Sequence, residues 1–306
     1  MKGIVVKSTG SWYSVRMESG DVLDCRIKGK FRMKGIKTTN PVAVGDVVEV
    51  EVNPDGAVIN RIEDRKNYII RKSTNLSKEA HIIAANVDQA VLVVTVNHPV
   101  TSTVFIDRFL ASVEAYRIPA ILVFNKIDLY DEEDLLLLGA LTQIYMQVGY
   151  ECFHVSSLTG EGMEDVVAAL KDKVTVFSGL SGVGKSSLIN RVEPGLKLKV
   201  AEISDSHDTG KHTTTFAEMF PLSFGGYIVD TPGIRAFGVI HMEKTEISHY
   251  FPEIFKRASE CRFYNCTHIH EPGCAVLEAV EKGEISESRY FSYVSMFEEG
   301  DEKYRK

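Results

Sequence analysis

The sequence predicts three domains: an N-terminal all-β barrel, a central α/β domain and a small, mostly helical C-terminal domain that binds metal. Short alternating strands separated by turns fill residues 1–65, and buried strands alternate with helices in residues 66–240. Cysteine and histidine residues cluster within residues 241–306. The length of 306 residues agrees with this division, since single domains usually contain about 100–200 residues.

The composition is typical of a globular protein, with 44% hydrophobic and 25% charged residues. No run approaches the ~20 apolar residues of a membrane span, and the N-terminus turns polar too soon for a secretory signal. We therefore expect a cytoplasmic protein without a membrane partner. The net charge is −7, yet residues 1–40 carry nine Lys and Arg residues against three acids. This local balance of +6 favours a barrel that faces a polyanion, with an ordinary solvated basic face as the alternative.

The barrel prediction depends on short segments that alternate apolar and polar residues between turns rich in Gly, Ser, Asn and Pro. The predicted strands are Gly3–Lys7, Trp12–Met17, Val22–Ile27 and Val47–Val52. So many short strands in about 60 residues favour an OB-fold. Residues 26–34 interleave basic side chains with Phe31 and Met33, which suits a nucleic-acid ligand, whereas a solubilising hairpin is the alternative.

Residues 65–86 are predicted as a polar connector, and the boundary between the barrel and the central domain is placed there. Ala90–Val96 and Ala120–Phe124 are continuous apolar runs, typical of strands covered on both faces. Because helices alternate with such strands, we expect a parallel α/β sheet. The other predicted elements are helices over Thr103–Tyr116, Asp131–Val148 and Met163–Lys171 and a strand over Phe153–Val155.

A phosphate-binding loop follows the predicted strand Val174–Phe177 and matches G-x-x-x-x-G-K-[ST] at every fixed position. Its glycines let backbone N–H groups converge on phosphate oxygens, and the helix that follows adds positive potential. Lys185 is expected to reach the β- and γ-phosphates, and the Ser186 hydroxyl to bind Mg²⁺. The predicted nucleotide-binding residues here are Gly179, Leu180, Ser181, Gly182, Val183, Gly184, Lys185, Ser186 and Ser187.

An N-K-x-D motif stands at the end of the second buried strand, where ligands of parallel sheets bind. Asp128 can accept hydrogen bonds from N1–H and the 2-amino group of guanine, which adenine lacks. Asn125 is expected to tie the base to neighbouring loops, and the stem of Lys126 to cover it. The predicted base-binding residues are Asn125, Lys126, Ile127, Asp128, Ser156 and Ser157.

Two later segments are expected to sense Mg²⁺ and the γ-phosphate. Residues 199–212 lack apolar periodicity and lead into three threonines, of which Thr214 is our candidate magnesium ligand. Because all three threonines have the same chemistry, the sequence does not distinguish which of them binds the metal. The alternative interpretation of this segment is a plain flexible loop. Asp230 and Gly233 belong to a D-T-P-G segment after a strand, where the carboxylate would hold Mg²⁺ through water and the glycine N–H would meet the γ-phosphate.

The order of these motifs is circularly permuted, because the base-recognition motif precedes the phosphate-binding loop. Ras-like enzymes place a water-orienting Gln after the D-x-x-G glycine, but this chain has Ile234 there. His212 is our candidate for orienting the water, and an exposed loop histidine is the alternative. Lys185 and Ser186 are the other catalytic candidates, and we expect slow intrinsic turnover that a partner accelerates.

A metal site is predicted by three thiols and one imidazole within fourteen residues, the donor set of a structural zinc site. The predicted ligands are Cys261, Cys266, His268 and Cys274, with His270 as a rival. Short helices are expected over Glu243–Lys256, Ala275–Lys282 and Ser286–Glu298. So small a domain has too little apolar mass to fold without its metal.

Together these features resemble the RsgA (YjeQ) family of ribosome small-subunit biogenesis GTPases. The resemblance is carried by the permuted order and by G-x-S-G-V-G-K-S, G-K-H-T-T-T, D-T-P-G and C-x4-C-x-H-x5-C. It implies an OB-fold, a permuted GTPase domain with GTP, GDP and Mg²⁺, and a domain with one structural Zn²⁺. It also implies action on the 30S subunit and its 16S rRNA late in assembly, GTP hydrolysis stimulated by that subunit, and a catalytic role for His212. We expect a monomer, and the alternative function is an RNA-binding module with a vestigial GTPase core.

Overall fold

The structure is a computed structural model that describes residues 1–27, 41–72, 80–196, 217–230 and 242–302. The chain divides into two compact units. One unit comprises Met1–Ala90, Glu164–Phe177 and Lys185–Ile234, and the other comprises Val91–Met163, Ser178–Gly184 and Arg235–Lys306.

Strands and helices alternate in the middle of the chain, whereas strands dominate its beginning and helices its end. The strands are β1 (Lys2–Ser8), β2 (Tyr13–Met17), β3 (Val22–Ile27), β4 (Val47–Asn53), β5 (Gly56–Ile62), β6 (Tyr68–Lys72), β7 (Ala80–Ala85), β8 (Gln89–Val94), β9 (Ala120–Asn125), β10 (Glu151–Val155), β11 (Val174–Ser178), β12 (Glu218–Pro221) and β13 (Tyr227–Asp230). The helices are α1 (Thr103–Ala115), α2 (Glu132–Val148), α3 (Met163–Leu170), α4 (Lys185–Val192), α5 (Lys244–Ile247), α6 (Pro252–Ala258), α7 (Ala275–Glu281) and α8 (Glu287–Glu302).

In the first unit, β1 to β5 close into a barrel, as predicted. β1 pairs with both β2 and β4, β2 pairs with β3, and β5 pairs with β3 and β4. The barrel core contains Val5, Tyr13, Val15, Cys25, Val48, Val50 and Ile59. The sequence analysis missed β5, because Ile59 is the one fully buried position in that strand and its alternation is correspondingly weak.

The predicted polar connector at residues 65–86 is wrong, because β6 and β7 form an antiparallel hairpin there. Ile69 and Ile82 are buried in it, but the charged residues beside them hid the strand pattern. Just before the hairpin, the buried guanidinium of Arg65 donates to both carboxylate oxygens of Asp46 at 2.6 Å. This ion pair fastens the hairpin's N-terminal end to the residue that precedes β4.

The first unit also contains the strand that ends at Asp230. β13 pairs in parallel with β11 and antiparallel with β12, and β12 pairs with β1 at Lys7 and Glu218. These two side chains also form an ion pair at 3.0 Å. Within the first unit, the barrel is therefore continuous, through β12, with β13 and β11.

The second unit contains most of β8 together with β9, β10, α1 and α2, and β9 and β10 pair in parallel. β8 and β9 are buried along their whole length, as their apolar runs predict. Ser102 caps α1 by accepting from the backbone N–H of Phe105, and Asp131 caps α2 in the same way at Asp134. Both helices lie within a residue of their predicted bounds.

The C-terminal segment of the second unit differs from prediction at its first helix. Instead of one helix over Glu243–Lys256, α5 ends at Ile247, a 3₁₀ turn follows, and α6 begins at Pro252. Proline has no N–H to donate and clashes with the preceding turn, so it starts a helix here rather than continuing one.

A buried charge network holds α8 against α1 and α6. Arg289, which is 1% exposed, donates to the two carboxylate oxygens of Glu253 at 2.7 and 3.0 Å and to Asp107 at 2.8 Å. The Tyr145 hydroxyl donates to Asp107 at 3.0 Å, and the Arg289 guanidinium lies 4.7 Å from the ring centre of Phe251. Burial raises the pKa of Asp107, although Arg289 opposes this shift.

Arg289→Ala is expected to lower the free energy of unfolding by about 3–5 kcal/mol, because it leaves the buried Asp107 and the partly buried Glu253 without their cation. Urea denaturation of both proteins measures the difference. The matched control is Arg257→Ala, which removes exposed ion pairs with Glu260 and Glu284 and should cost under about 1 kcal/mol. Equal losses in the two variants would contradict the prediction.

Candidate nucleotide-binding site and metal centre

The phosphate-binding loop lies between β11 and α4, in the predicted strand–loop–helix context. Gly179 and Gly184 have φ angles of 146° and 93°. A Cβ atom would lie 2.3 Å from the Val93 carbonyl oxygen at Gly179 and 2.3 Å from the Asn125 Nδ2 at Gly184. Backbone conformation and lack of space therefore both require glycine at these two positions.

The side chain of Asn125 joins three of the predicted motifs. Its Nδ2 donates to the Val183 carbonyl in the phosphate-binding loop at 2.8 Å. Its Oδ1 accepts from the backbone N–H of Ser157 at 3.0 Å. Asn125 and Val183 are 58 residues apart in the chain, so the fold brings together motifs that are distant in sequence.

Two further segments border the site: the turn that contains Ser156 and Ser157, called here the serine turn, and the base-recognition motif. The Ser156 hydroxyl accepts from the N–H of Thr159 at 3.0 Å, which closes the turn after β10. Lys126 has a left-handed backbone with φ of 69°, and Ile127 begins a short 3₁₀ helix. Asp128 lies in this helix and is exposed, so its carboxylate is accessible to a base.

The loop after β8 contacts both nucleotide motifs and was missed by the sequence analysis. The Lys126 ammonium donates to the His98 carbonyl at 2.6 Å. A Cβ atom at Gly182 would lie 3.6 Å from Pro99, so this proline lies beside the phosphate-binding loop. Asn-His-Pro matches no recognised motif, and the loop's position follows only from the three-dimensional order of the strands.

The structure describes some of the remaining predicted site residues and leaves others outside the described ranges. Lys185 and Ser186 open α4 and are buried, with 9% and 5% exposure. Asp230 ends β13, where its backbone pairs with Glu218 of β12. His212, Thr214 and Gly233 lie outside the described residues, as does most of the basic stretch 26–34.

The four predicted zinc ligands form one cluster, in which all ligand atoms lie within 4.8 Å of one another. The Sγ atoms of Cys261 and Cys274 are 3.9 Å apart, and the His268 Nδ1 is 3.5 Å from each. A tetrahedral zinc ion, with Zn–S of ~2.3 Å and Zn–N of ~2.0 Å, separates two sulfurs by about 3.8 Å and sulfur from nitrogen by about 3.5 Å. The cluster, completed by Cys266, therefore fits zinc, and it contains His268 rather than the exposed His270.

Hydrogen bonds around the cluster fix the ligand loop. The Glu271 carboxylate accepts from the N–H and hydroxyl of Thr267 at 2.7 and 2.5 Å and from the N–H of Ile269 at 3.1 Å. Burial opposes ionisation, but these bonds outweigh it and lower the pKa of Glu271 to about 2. Tyr290 of α8 donates to the His268 carbonyl at 2.8 Å, so a helix also supports the loop.

These features define a class of protein: a P-loop GTPase with circularly permuted motifs, preceded by a β-barrel and followed by a Cys₃His cluster. The family model described as the RsgA GTPase matches residues 62–240, and the RsgA N-terminal domain model matches residues 2–59. The chain therefore belongs to the RsgA GTPase family and is a GTP hydrolase.

Full-length relatives agree with this assignment. The small ribosomal subunit biogenesis GTPase RsgA of Bacteroides fragilis is 61% identical, over 100% of this chain and 99% of its own. The crystal structure of YjeQ from Thermotoga maritima has a TM-score of 0.81 and 42% identity, covering 98% of each chain. YloQ, described as a circularly permuted GTPase, has a TM-score of 0.77 and 34% identity, covering 99% of this chain and 95% of its own. The predicted family and fold class are thereby confirmed.

One further property concerns membranes. Among the described residues, no helix combines the length and apolar character that crossing a bilayer demands.

Gly184→Ala is expected to weaken GDP binding by at least about a hundredfold, because the new Cβ displaces the Asn125 amide from the phosphate-binding loop. Titration with a fluorescent GDP analogue measures the affinity. The matched control is Gly139→Ala in α2, where a Cβ meets nothing within 4 Å. That control should bind GDP normally and gain stability of about 0.5–1 kcal/mol, since alanine favours helix. Normal GDP affinity in Gly184→Ala would show that the Asn125 contact is dispensable.

Proposed function

We propose that this GTPase binds the small (30S) ribosomal subunit and acts late in its maturation, with the subunit stimulating hydrolysis of GTP to GDP and phosphate. The observation that carries the proposal is the contact of three guanine-nucleotide motifs at Asn125. Support for the ribosomal partner comes from the relative that is 61% identical and is named for small-subunit biogenesis.

The nucleotide would be held by the residues that the sequence analysis assigned. Backbone N–H groups of Gly179–Ser187 would bind the phosphates, and Lys185 would neutralise the β- and γ-phosphates. Asp128 would select guanine, while Lys126 covers the base and Ser156 and Ser157 border it.

Magnesium would be held by hydroxyl and carboxylate oxygens of the chain. When bound, Mg²⁺ would offset the negative charge that develops on the phosphates during hydrolysis. Ser186 and Thr214 are the proposed ligands, Asp230 would act through water, and the Gly233 N–H would meet the γ-phosphate. His212 would orient the attacking water, because Ile234 offers no hydrogen-bonding group for that role.

The barrel would contact 16S rRNA. Residues 1–40 have a net charge of +6, which suits the phosphate backbone. The Trp12 side chain is 44% exposed, and the Arg26 guanidinium lies 4.1 Å from its ring centre. An exposed indole next to a cation offers stacking and charge to an unpaired nucleotide.

We place the domain boundaries at 1–65, 66–240 and 241–306, with one structural Zn²⁺ in the last domain. We infer a cytoplasmic location, because the ribosomal subunits on which the protein would act are in the cytoplasm. We also propose that the protein is a monomer.

Wild-type protein should hydrolyse GTP slowly alone and at least about tenfold faster with purified 30S subunits, because the subunit completes the hydrolytic site. Phosphate release measured with and without subunits tests this. Lys185→Ala should lose both activities, since the phosphates lose their cation. His212→Ala should bind GDP normally but lose about a hundredfold of the stimulated rate.

The control for the histidine is His249→Ala, which removes an exposed side chain that contacts Phe255 and should keep full stimulated activity. A stimulated rate unaffected in His212→Ala would remove that residue from the mechanism. Subunit binding without any turnover by the wild-type protein would favour the alternative, an RNA-binding module with a vestigial GTPase core.

Purified protein should contain about one zinc ion per chain, and Cys274→Ser should reduce this to near zero and lower the melting temperature. Elemental analysis by mass spectrometry and thermal melting measure the two effects. Cys152→Ser is the matched control, because Cys152 lies in β10, outside the ligand cluster. Full zinc content in Cys274→Ser would exclude the proposed site.

A further inference from the structure

The Tyr130 hydroxyl connects the ends of two strands at the nucleotide site. It accepts from the backbone N–H of Val96 at 2.8 Å and donates to the Asn125 carbonyl at 2.8 Å. Val96 follows β8, and Asn125 is the last residue of β9. A single side chain thus bonds the backbone at both strand ends.

Both backbone partners are buried, which makes the hydroxyl difficult to replace. Val96 is 5% exposed and Asn125 is 0% exposed, so water has little access to either residue. Buried backbone groups almost always have a hydrogen-bond partner, and an unpaired one destabilises its conformation. Burial raises the pKa of Tyr130, so the hydroxyl keeps the proton that it donates.

The bond to Asn125 closes the base-recognition loop at its C-terminal end. At its N-terminal end, the Asn125 side chain bonds Val183 and Ser157. Tyr130 directly follows the 3₁₀ helix Ile127–Leu129, so Asp128 lies on a short segment that is fixed at both ends.

We propose that Tyr130 is a positioning residue for guanine recognition, whose hydroxyl fixes the backbone of Asn125 and thereby places the Asp128 carboxylate against the base. The inference rests on the proposed function, because it assumes that Asp128 binds guanine. No motif includes Tyr130, so its role follows from the two hydrogen bonds alone.

The preference of the protein for guanine over hypoxanthine shows whether Tyr130 positions Asp128 or only stabilises the fold. Guanine offers Asp128 both N1–H and a 2-amino group, whereas hypoxanthine offers only N1–H. If Tyr130 places Asp128, removing its hydroxyl reduces the preference for GDP over IDP. If Tyr130 only stabilises the fold, the affinities for GDP and IDP change by the same factor.

The experiment is calorimetric titration of GDP, IDP and ADP into the full-length wild type, and of GDP and IDP into Tyr130→Phe. We expect Tyr130→Phe to weaken GDP binding about tenfold and to reduce the preference for GDP over IDP about fivefold. Tyr150→Phe is the matched control, because it removes another buried hydroxyl, the one that donates to Glu114 at 3.1 Å. That control should leave both nucleotide affinities at the wild-type values.

Two results would contradict two different claims, one about the guanine site and one about Tyr130. A wild type that binds GDP no better than ADP would overturn the proposed guanine site itself. A wild type that prefers GDP to IDP, with an unchanged preference in Tyr130→Phe, would overturn the role of Tyr130 alone.

A measurement on the wild type makes the test independent of any variant's folding. Saturation with GDP should slow hydrogen exchange at the Val96 amide at least about tenfold, because nucleotide stabilises the loop that Tyr130 closes. The amide of Phe105, at the start of α1, serves as the internal reference. Equal effects of GDP on the two amides would contradict the proposal.

Discussion

The nucleotide site depends on one buried side-chain amide, that of Asn125. It donates to the phosphate-binding loop and accepts from the serine turn, so a single group fixes three segments that are separate in sequence. Because Asn125 is fully buried, each bond left unmade would cost about 1–3 kcal/mol. The need for glycine at Gly184 follows directly, since a Cβ atom there would occupy the space of the amide.

The same contact explains why the permuted order of motifs is compatible with a working site. Strand order in space, rather than order in the chain, decides which strand ends meet. The permutation instead changes which neighbouring segments are joined to the strands of the GTPase. Within the first unit, the barrel strand β1 pairs with β12, which in turn pairs with the strand that ends at Asp230. The barrel is thereby one strand away from Asp230, a predicted magnesium-site residue.

Sequence reasoning succeeded where local pattern and chemistry agree. Continuous apolar runs predicted β8 and β9, and the helices predicted over Thr103–Tyr116 and Asp131–Val148 match α1 and α2 to within a residue. It failed at β5 and at the hairpin of β6 and β7, where weak alternation or adjacent charges hide the strand period. Sequence reasoning also could not identify Tyr130, because the role of this residue depends on hydrogen bonds to residues 5 and 34 positions away.

Arg289 shows why a buried charge can be retained although apolar packing could provide as much stability. Its side chain looks like that of an exposed helical residue in the sequence, yet it bonds Glu253 at two points and Asp107 at a third. Phe251 lies against the guanidinium and also packs edge-to-face on Tyr293, whose hydroxyl bonds the Thr267 carbonyl in the metal-ligand loop. Apolar contacts tolerate a shift of α8 along its axis, whereas a two-point bond to one carboxylate accepts a single register. The charge network therefore determines where α8 lies, and α8 in turn determines where the metal-ligand loop is held.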